Sequence, residues 1–80
     1  MSRVANYKKL ILLKPLEHGY VGGRHTNEDN IPNGFHPSEY RDVMKAYKEI
    51  KREGFLILTP KPDGIHISIN PRMVKQIQNL

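Results

Sequence analysis

The segment from Pro37 to Ile69 constrains this chain most. Pro37 suits the first position of a helix, Glu39 stands where a carboxylate meets the positive end of the helix dipole, and Gly54 supplies a C-terminal stop. The spacing predicts a long helix over 37–53. Directly after the glycine comes an apolar strand, Phe55-Leu56-Ile57-Leu58-Thr59, and then Ile65-His66-Ile67-Ser68-Ile69, which alternates with period two. Pro60-Lys61-Pro62-Asp63-Gly64 lies between them and contains Asp-Gly, a hairpin signal, in a loop of about five residues. A long helix that passes through one glycine into a hairpin leaves few architectures open.

The remaining segments are weaker. Val4 to Leu16 reads as a helix on length, with Val4, Tyr7, Leu10 and Ile11 on one face, although Leu10 to Leu13 also fits a buried strand. Ser2 is the candidate N-cap and His18-Gly19 the stop, and Pro15 is expected to end or kink the helix earlier. Residues 19–36 are rich in turn formers. Tyr20-Val21 fits a brief strand, and Thr26-Asn27-Glu28-Asp29 resembles a capping box that opens a helix of one or two turns, ended by Pro32 and Asn33-Gly34. Asn70-Pro71 reads as N-cap and first position of a last helix, whose apolar stripe is Met73, Val74, Ile77 and Leu80. Eighty residues make one domain spanning 1–80.

Composition excludes several functions. There is no cysteine, which removes a disulfide framework, a thiol nucleophile and a cysteine-based zinc site. No apolar run exceeds the four residues of Leu10 to Leu13, far short of the ~20 residues of a membrane span, and no secretory signal is expected. The chain reads as cytoplasmic. His25, Glu28, Asp29 and His36 match no compact metal site, Ser38 and Ser68 have no base at a recognised spacing, and Gly19, Gly22 and Gly23 form no phosphate-binding fingerprint. His18 and His66 read as surface or structural residues. Neither an enzyme nor a cofactor is expected.

Charge points elsewhere. Thirteen Lys and Arg against eight Asp and Glu give a net charge of +5, which favours a polyanionic partner. Residues 1–14 carry Arg3, Lys8, Lys9 and Lys14 and no acid, whereas 15–36 are mildly acidic. On the long helix, steps of about 100° per residue place Arg41, Lys45, Lys48 and Arg52 on one ridge spanning roughly 60°. Tyr40, Val43, Met44, Tyr47 and Ile50 fall on a core-facing arc, and Asp42, Glu49 and Glu53 gather on the third side. The ridge can face phosphates or base edges. It can equally be a solvated face laced with pairs, since Asp42–Lys45, Glu49–Arg52 and Lys45–Glu49 are three or four apart. Lys61 adds a basic point on the hairpin, nearly cancelled by Asp63.

Lys48-Glu49-Ile50-Lys51-Arg52-Glu53-Gly54-Phe55-Leu56-Ile57 resembles the end of a winged-helix recognition helix running into its first wing strand. With Gly23-Arg24-His25-Thr26-Asn27-Glu28-Asp29-Asn30 and Ile65-His66-Ile67-Ser68-Ile69-Asn70-Pro71, the chain looks most like small archaeal winged-helix proteins. The resemblance implies an α+β winged helix-turn-helix: a three-helix core, a C-terminal β-hairpin wing and a final helix. It also implies a recognition helix in the major groove of double-stranded DNA, with Arg41, Lys45, Lys48 and Arg52 as contacts and Lys61 on the wing, and a role in transcription regulation. The sequence departs from that pattern in the long turn from Pro32 to Pro37 and in its short second helix. The alternatives are an RNA-binding module, for which Tyr7, Tyr20 and Tyr40 offer stacking surfaces, and a protein-interaction module with an exposed apolar patch. Met73, Ile77 and Leu80 serve either a homodimer through the last helix or the monomer's own core.

Overall fold

A computed structural model describes residues 3–80, with side chains from residue 6 onward. The expected cap Ser2 lies outside the described residues, as does the side chain of Val4. The chain is a small α+β structure. Its helices are α1 (Arg3–Glu17), α2 (Tyr40–Arg52) and α3 (Val74–Gln78), and its strands are β1 (Thr26–Asn27), β2 (Leu56–Lys61) and β3 (Gly64–Ile69). The sheet is antiparallel in the order β1-β3-β2.

Helix α1 runs two residues past Pro15. The ring removes only the N–H that would bond the Ile11 carbonyl, and the end is closed beyond it. Tyr20 N–H reaches the Pro15 carbonyl at 2.9 Å and Gly19 N–H the Leu16 carbonyl at 3.1 Å, with Gly19 at φ +76°. Its buried face is Tyr7, Ile11 and Leu12, and Leu10 stands 52% exposed rather than on the core face.

Segment 26–34 holds no α-helix. Thr26 pairs with Ile67 and Asn27 with His66 on the sheet, so the backbone is extended where a cap was expected at Thr26. Asn27 takes the cap instead, accepting from Asp29 N–H at 2.9 Å, and one 3-10 turn over Glu28–Asn30 follows. The Tyr20-Val21 strand reduces to one parallel bridge, Val21 to Ile69.

The long helix begins with a 3-10 turn over Pro37–Glu39. His36 caps it. Ser38 N–H donates to His36 Nδ1 at 3.2 Å, and Glu39 Oε2 accepts from His36 N–H at 2.9 Å. The far end closes as a Schellman motif, with Phe55 N–H to the Ile50 carbonyl and Gly54 N–H to the Lys51 carbonyl, both at 3.4 Å. Gly54 takes φ +80°, which turns the chain into β2.

The hairpin is tighter than the expected five-residue loop. Pro60 pairs with Ile65 and Lys61 with Gly64, leaving Pro62 and Asp63 as the turn. Pro60 is tolerated because β2 is an edge strand and its missing N–H breaks no inner ladder. Asn70 caps the 3-10 turn Pro71–Met73 that leads into α3.

The core joins these elements. Tyr7, Ile11 and Leu12 of α1 meet Val43, Ala46, Tyr47 and Ile50 of α2, with Phe55, Leu56, Ile67, Ile69 and Ile77 from the hairpin and α3. Each fully buried Ile or Leu contributes roughly 1.5–3 kcal/mol. Ile77 is completely buried within its own chain, whereas Leu80 is 47% exposed. Among the described residues no helix is long and apolar enough to cross a membrane.

Candidate nucleic-acid interface

Helix α2 and the turn that leads into it are tethered at three points. Tyr47, a core residue, donates its hydroxyl proton to Glu28 Oε2 at 2.6 Å, tying the helix to the turn after β1. Burial, and next the facing Glu28 carboxylate, push the Tyr47 hydroxyl far above the ordinary phenol range. Tyr7 of α1 donates to Glu39 at 2.9 Å, and its ring meets Phe35 edge-on at 5.8 Å. Lys8 of α1 forms an ion pair with Glu53 at the other end of α2.

This packing leaves Arg41, Lys45, Lys48 and Arg52 exposed along one side of α2. The three intrahelical pairs that spacing allows do not form. Among the described residues the contacts of carboxylates with basic side chains are the Lys8–Glu53 ion pair and the His66–Asp63 hydrogen bond, so no carboxylate lies within ion-pairing distance of the four ridge cations. Glu53, the acid nearest the helix end, is turned towards α1. Lys51 lies beside the ridge with its ammonium 4.7 Å from the Tyr47 ring centroid, a cation–π contact.

Two apolar residues placed on the core-facing arc by periodicity stand outside it. Tyr40 is 40% exposed and Met44 39% exposed, because the buried arc of α2 is Val43, Ala46, Tyr47 and Ile50. Both therefore join the accessible surface next to the cations. Of the tyrosines suggested as stacking platforms, Tyr7 is buried and unavailable, and Tyr20 is half-buried.

Lys61 is exposed at the end of β2. Its expected partner Asp63 is engaged elsewhere: His66 Nε2 lies 2.9 and 3.1 Å from the two Asp63 carboxylate oxygens. That hydrogen bond, ahead of the others, holds the Asp63 carboxyl below the usual carboxylate range. His25 Nδ1 in turn meets His66 Nδ1. The residues considered as metal ligands are thus dispersed, with His25 on His66, Glu28 on Tyr47 and His36 capping the turn into α2. No group of three or more His, Asp or Glu among the described residues is arranged to hold a metal ion. The His25–His66–Asp63 line carried no local signal, since its first two members are forty-one residues apart.

The chain matches no protein-family model, no curated protein and no solved structure.

Proposed function

We propose that this chain is a winged-helix protein that binds double-stranded DNA through α2 and acts as a transcription regulator. The observation that carries the reading is the side of α2 on which Arg41, Lys45, Lys48 and Arg52 stand exposed with no carboxylate neighbour within pairing distance. Four uncompensated cations on one rigid rod suit a row of phosphates, and arginine can also read guanine bidentately. The order of elements supports it: a helix, a short strand, a turn, a long helix, then a hairpin whose inner strand takes up the short strand at its other edge. In this reading α2 is the recognition helix and the β2–β3 hairpin is the wing, with Lys61 near its tip. The second helix of the motif is reduced to the 3-10 turn over Glu28–Asn30, and the Tyr47–Glu28 bond does its anchoring.

A second reading has one observation in its favour. Ile57 and Leu58, 40% and 43% exposed, lie on the free edge of the sheet, where a protein partner could add a strand. Binding measured across a salt titration separates the two. Duplex DNA, duplex RNA and single strands are the probes. The DNA reading expects duplex DNA to bind best, with affinity falling steeply as salt rises. Binding to none of the probes would overturn it.

A further inference from the structure

Helix α1, the segment after it and the inner strand line a half-open cavity of about 250 Å³. None of the four ridge cations lines it. Its apolar wall is Ile11, Ile31, Phe35 and Ile67, two of them core residues, and Leu10 extends that wall into solvent. Small ligands are typically held by such a wall together with a few placed polar groups.

The polar groups here have one charge among them. Lys14 lines the cavity, and among the described residues its ammonium bonds the Asn33 carbonyl alone, at 3.3 Å. It lies over Gly34, where an added Cβ would come within 3.5 Å of Nζ. That is ordinary contact distance, so the ammonium packs against this turn, whose φ of +94° favours glycine. Among the described residues no carboxylate pairs with Lys14. Lys14 is exposed, so the donors not used on Asn33 face solvent and are open to an incoming anion. His18, Tyr20, Thr26, Asn30 and Asn33 are the other residues with polar groups in the lining.

We propose that this cavity is a binding site for a small organic carboxylate, with the carboxylate on Lys14 and a hydrocarbon ring among Ile11, Ile31, Phe35 and Ile67. A cationic ligand would meet Lys14 unfavourably. A bare inorganic anion would leave the apolar wall empty, and a neutral ligand would gain nothing from the ammonium. A monoanion with an apolar body satisfies both halves. The inference does not depend on the nucleic-acid reading, since it uses other residues.

The test uses the full chain, with benzoate as probe and benzamide as its neutral counterpart of the same shape. Binding is followed by backbone amide chemical shifts. The expected result is saturable benzoate binding, on the order of tenfold weaker binding of benzamide, and shifts concentrated in residues 10–20 and 26–35. Lys14→Met keeps the stem and removes the charge, so it should bring the two probes to equal affinity. Three results would overturn the proposal: no saturation with benzoate, equal binding of both probes to the unaltered chain, or shifts concentrated on the exposed side of α2. The mapping on the unaltered chain decides the matter even if the variant folds poorly. Because no nucleic acid is present, failure here leaves the DNA reading untouched.

Discussion

His25 Nδ1 and His66 Nδ1 lie 2.8 Å apart. One of the two nitrogens must donate and the other accept. His66 Nε2 faces the Asp63 carboxylate and donates to it, so a neutral His66 presents Nδ1 as the acceptor and His25 Nδ1–H as the donor. The line ties the loop before β1, the middle of β3 and the hairpin turn together, and Asn27 Nδ2 adds a bond to the Asp63 carbonyl at 3.1 Å. Asp63 is held below its ordinary value, first by His66, so its contribution to stability is complete above the unfolded carboxylate value of about 3.9. That contribution is lost as pH falls through the lower folded value. Asp63→Asn should therefore be less stable than the unaltered chain above about pH 4, and the two should converge at more acidic pH. Urea midpoints measured from neutral pH downward check this. A gap that stays constant into strong acid would mean that the His66–Asp63 bond is not its source.

Tyr47→Phe probes the tether between α2 and the turn after β1. The ring fills its place in the core unchanged, but Glu28 loses the 2.6 Å bond to the hydroxyl. A hydrogen bond to a charged group contributes about 1.5–3 kcal/mol, and a loss in that range is expected at neutral pH. The difference shrinks in alkali. The folded Tyr47 hydroxyl resists ionisation, by burial first and the Glu28 carboxylate second, whereas the unfolded one ionises near pH 10. Stability from this group is thus whole below about pH 10 and falls above it, and the phenylalanine variant lacks that fall. Denaturant curves for both proteins at neutral and alkaline pH should show the gap narrowing in alkali.

Asn70 performs two tasks with one side chain. Its Oδ1 accepts from Arg72 N–H at 3.1 Å, capping the turn into α3, and its Nδ2 donates to the Gly54 carbonyl at 3.1 Å, behind the end of α2. Asn70→Ala removes both bonds and should cost about 1–2 kcal/mol. Asn70→Asp keeps the acceptor and loses the donor, so a smaller loss is expected. The midpoint of urea unfolding should shift in that order without a change in slope.

The elements that sequence periodicity reveals best are those whose burial is decided locally. Gly54 and the alternation of Ile65, Ile67 and Ile69 mark the end of α2 and the limits of β3 within a residue, whereas α2 starts three residues after Pro37 because its first turn is 3-10. The buried side of α2 differs from its hydrophobic stripe because Ala46, small enough to escape such a stripe, is fully buried in the core that α1 shares. Packing α1 there carries Lys8 to Glu53 and turns Tyr40 and Met44 outward, so a contact between two helices set an orientation that neither helix specifies alone. The same holds for Thr26, whose extended conformation is dictated by Ile67 across the sheet rather than by its own neighbours. The four ridge cations were legible because they share one helix. The environment of Asp63 was not, because its hydrogen-bonded line reaches back to the loop before β1.

Removing cations from α2 should change the salt dependence of DNA binding before it changes anything else. Arg41, Lys45, Lys48 and Arg52 are exposed and make no ion pair among the described residues, so replacing Lys45 and Lys48 by alanine disturbs no packing. Alanine is also the best helix former, and folding stability should stay within about 0.5 kcal/mol. Each phosphate neutralised on duplex DNA contributes about −0.9 to the slope of log affinity against log salt. The double variant should therefore show a slope shallower by about 1.8 and weaker binding at low salt, with little dependence on the sequence of the duplex. Replacing Arg41 or Arg52 instead should also reduce discrimination between duplexes wherever the guanidinium meets a guanine. Fluorescence anisotropy across a salt series, on proteins whose unfolding midpoints have first been matched, measures the slope. If the double variant keeps the slope of the unaltered chain, phosphates are not bound along this side of α2, and the free edge of β2 becomes the surface to probe.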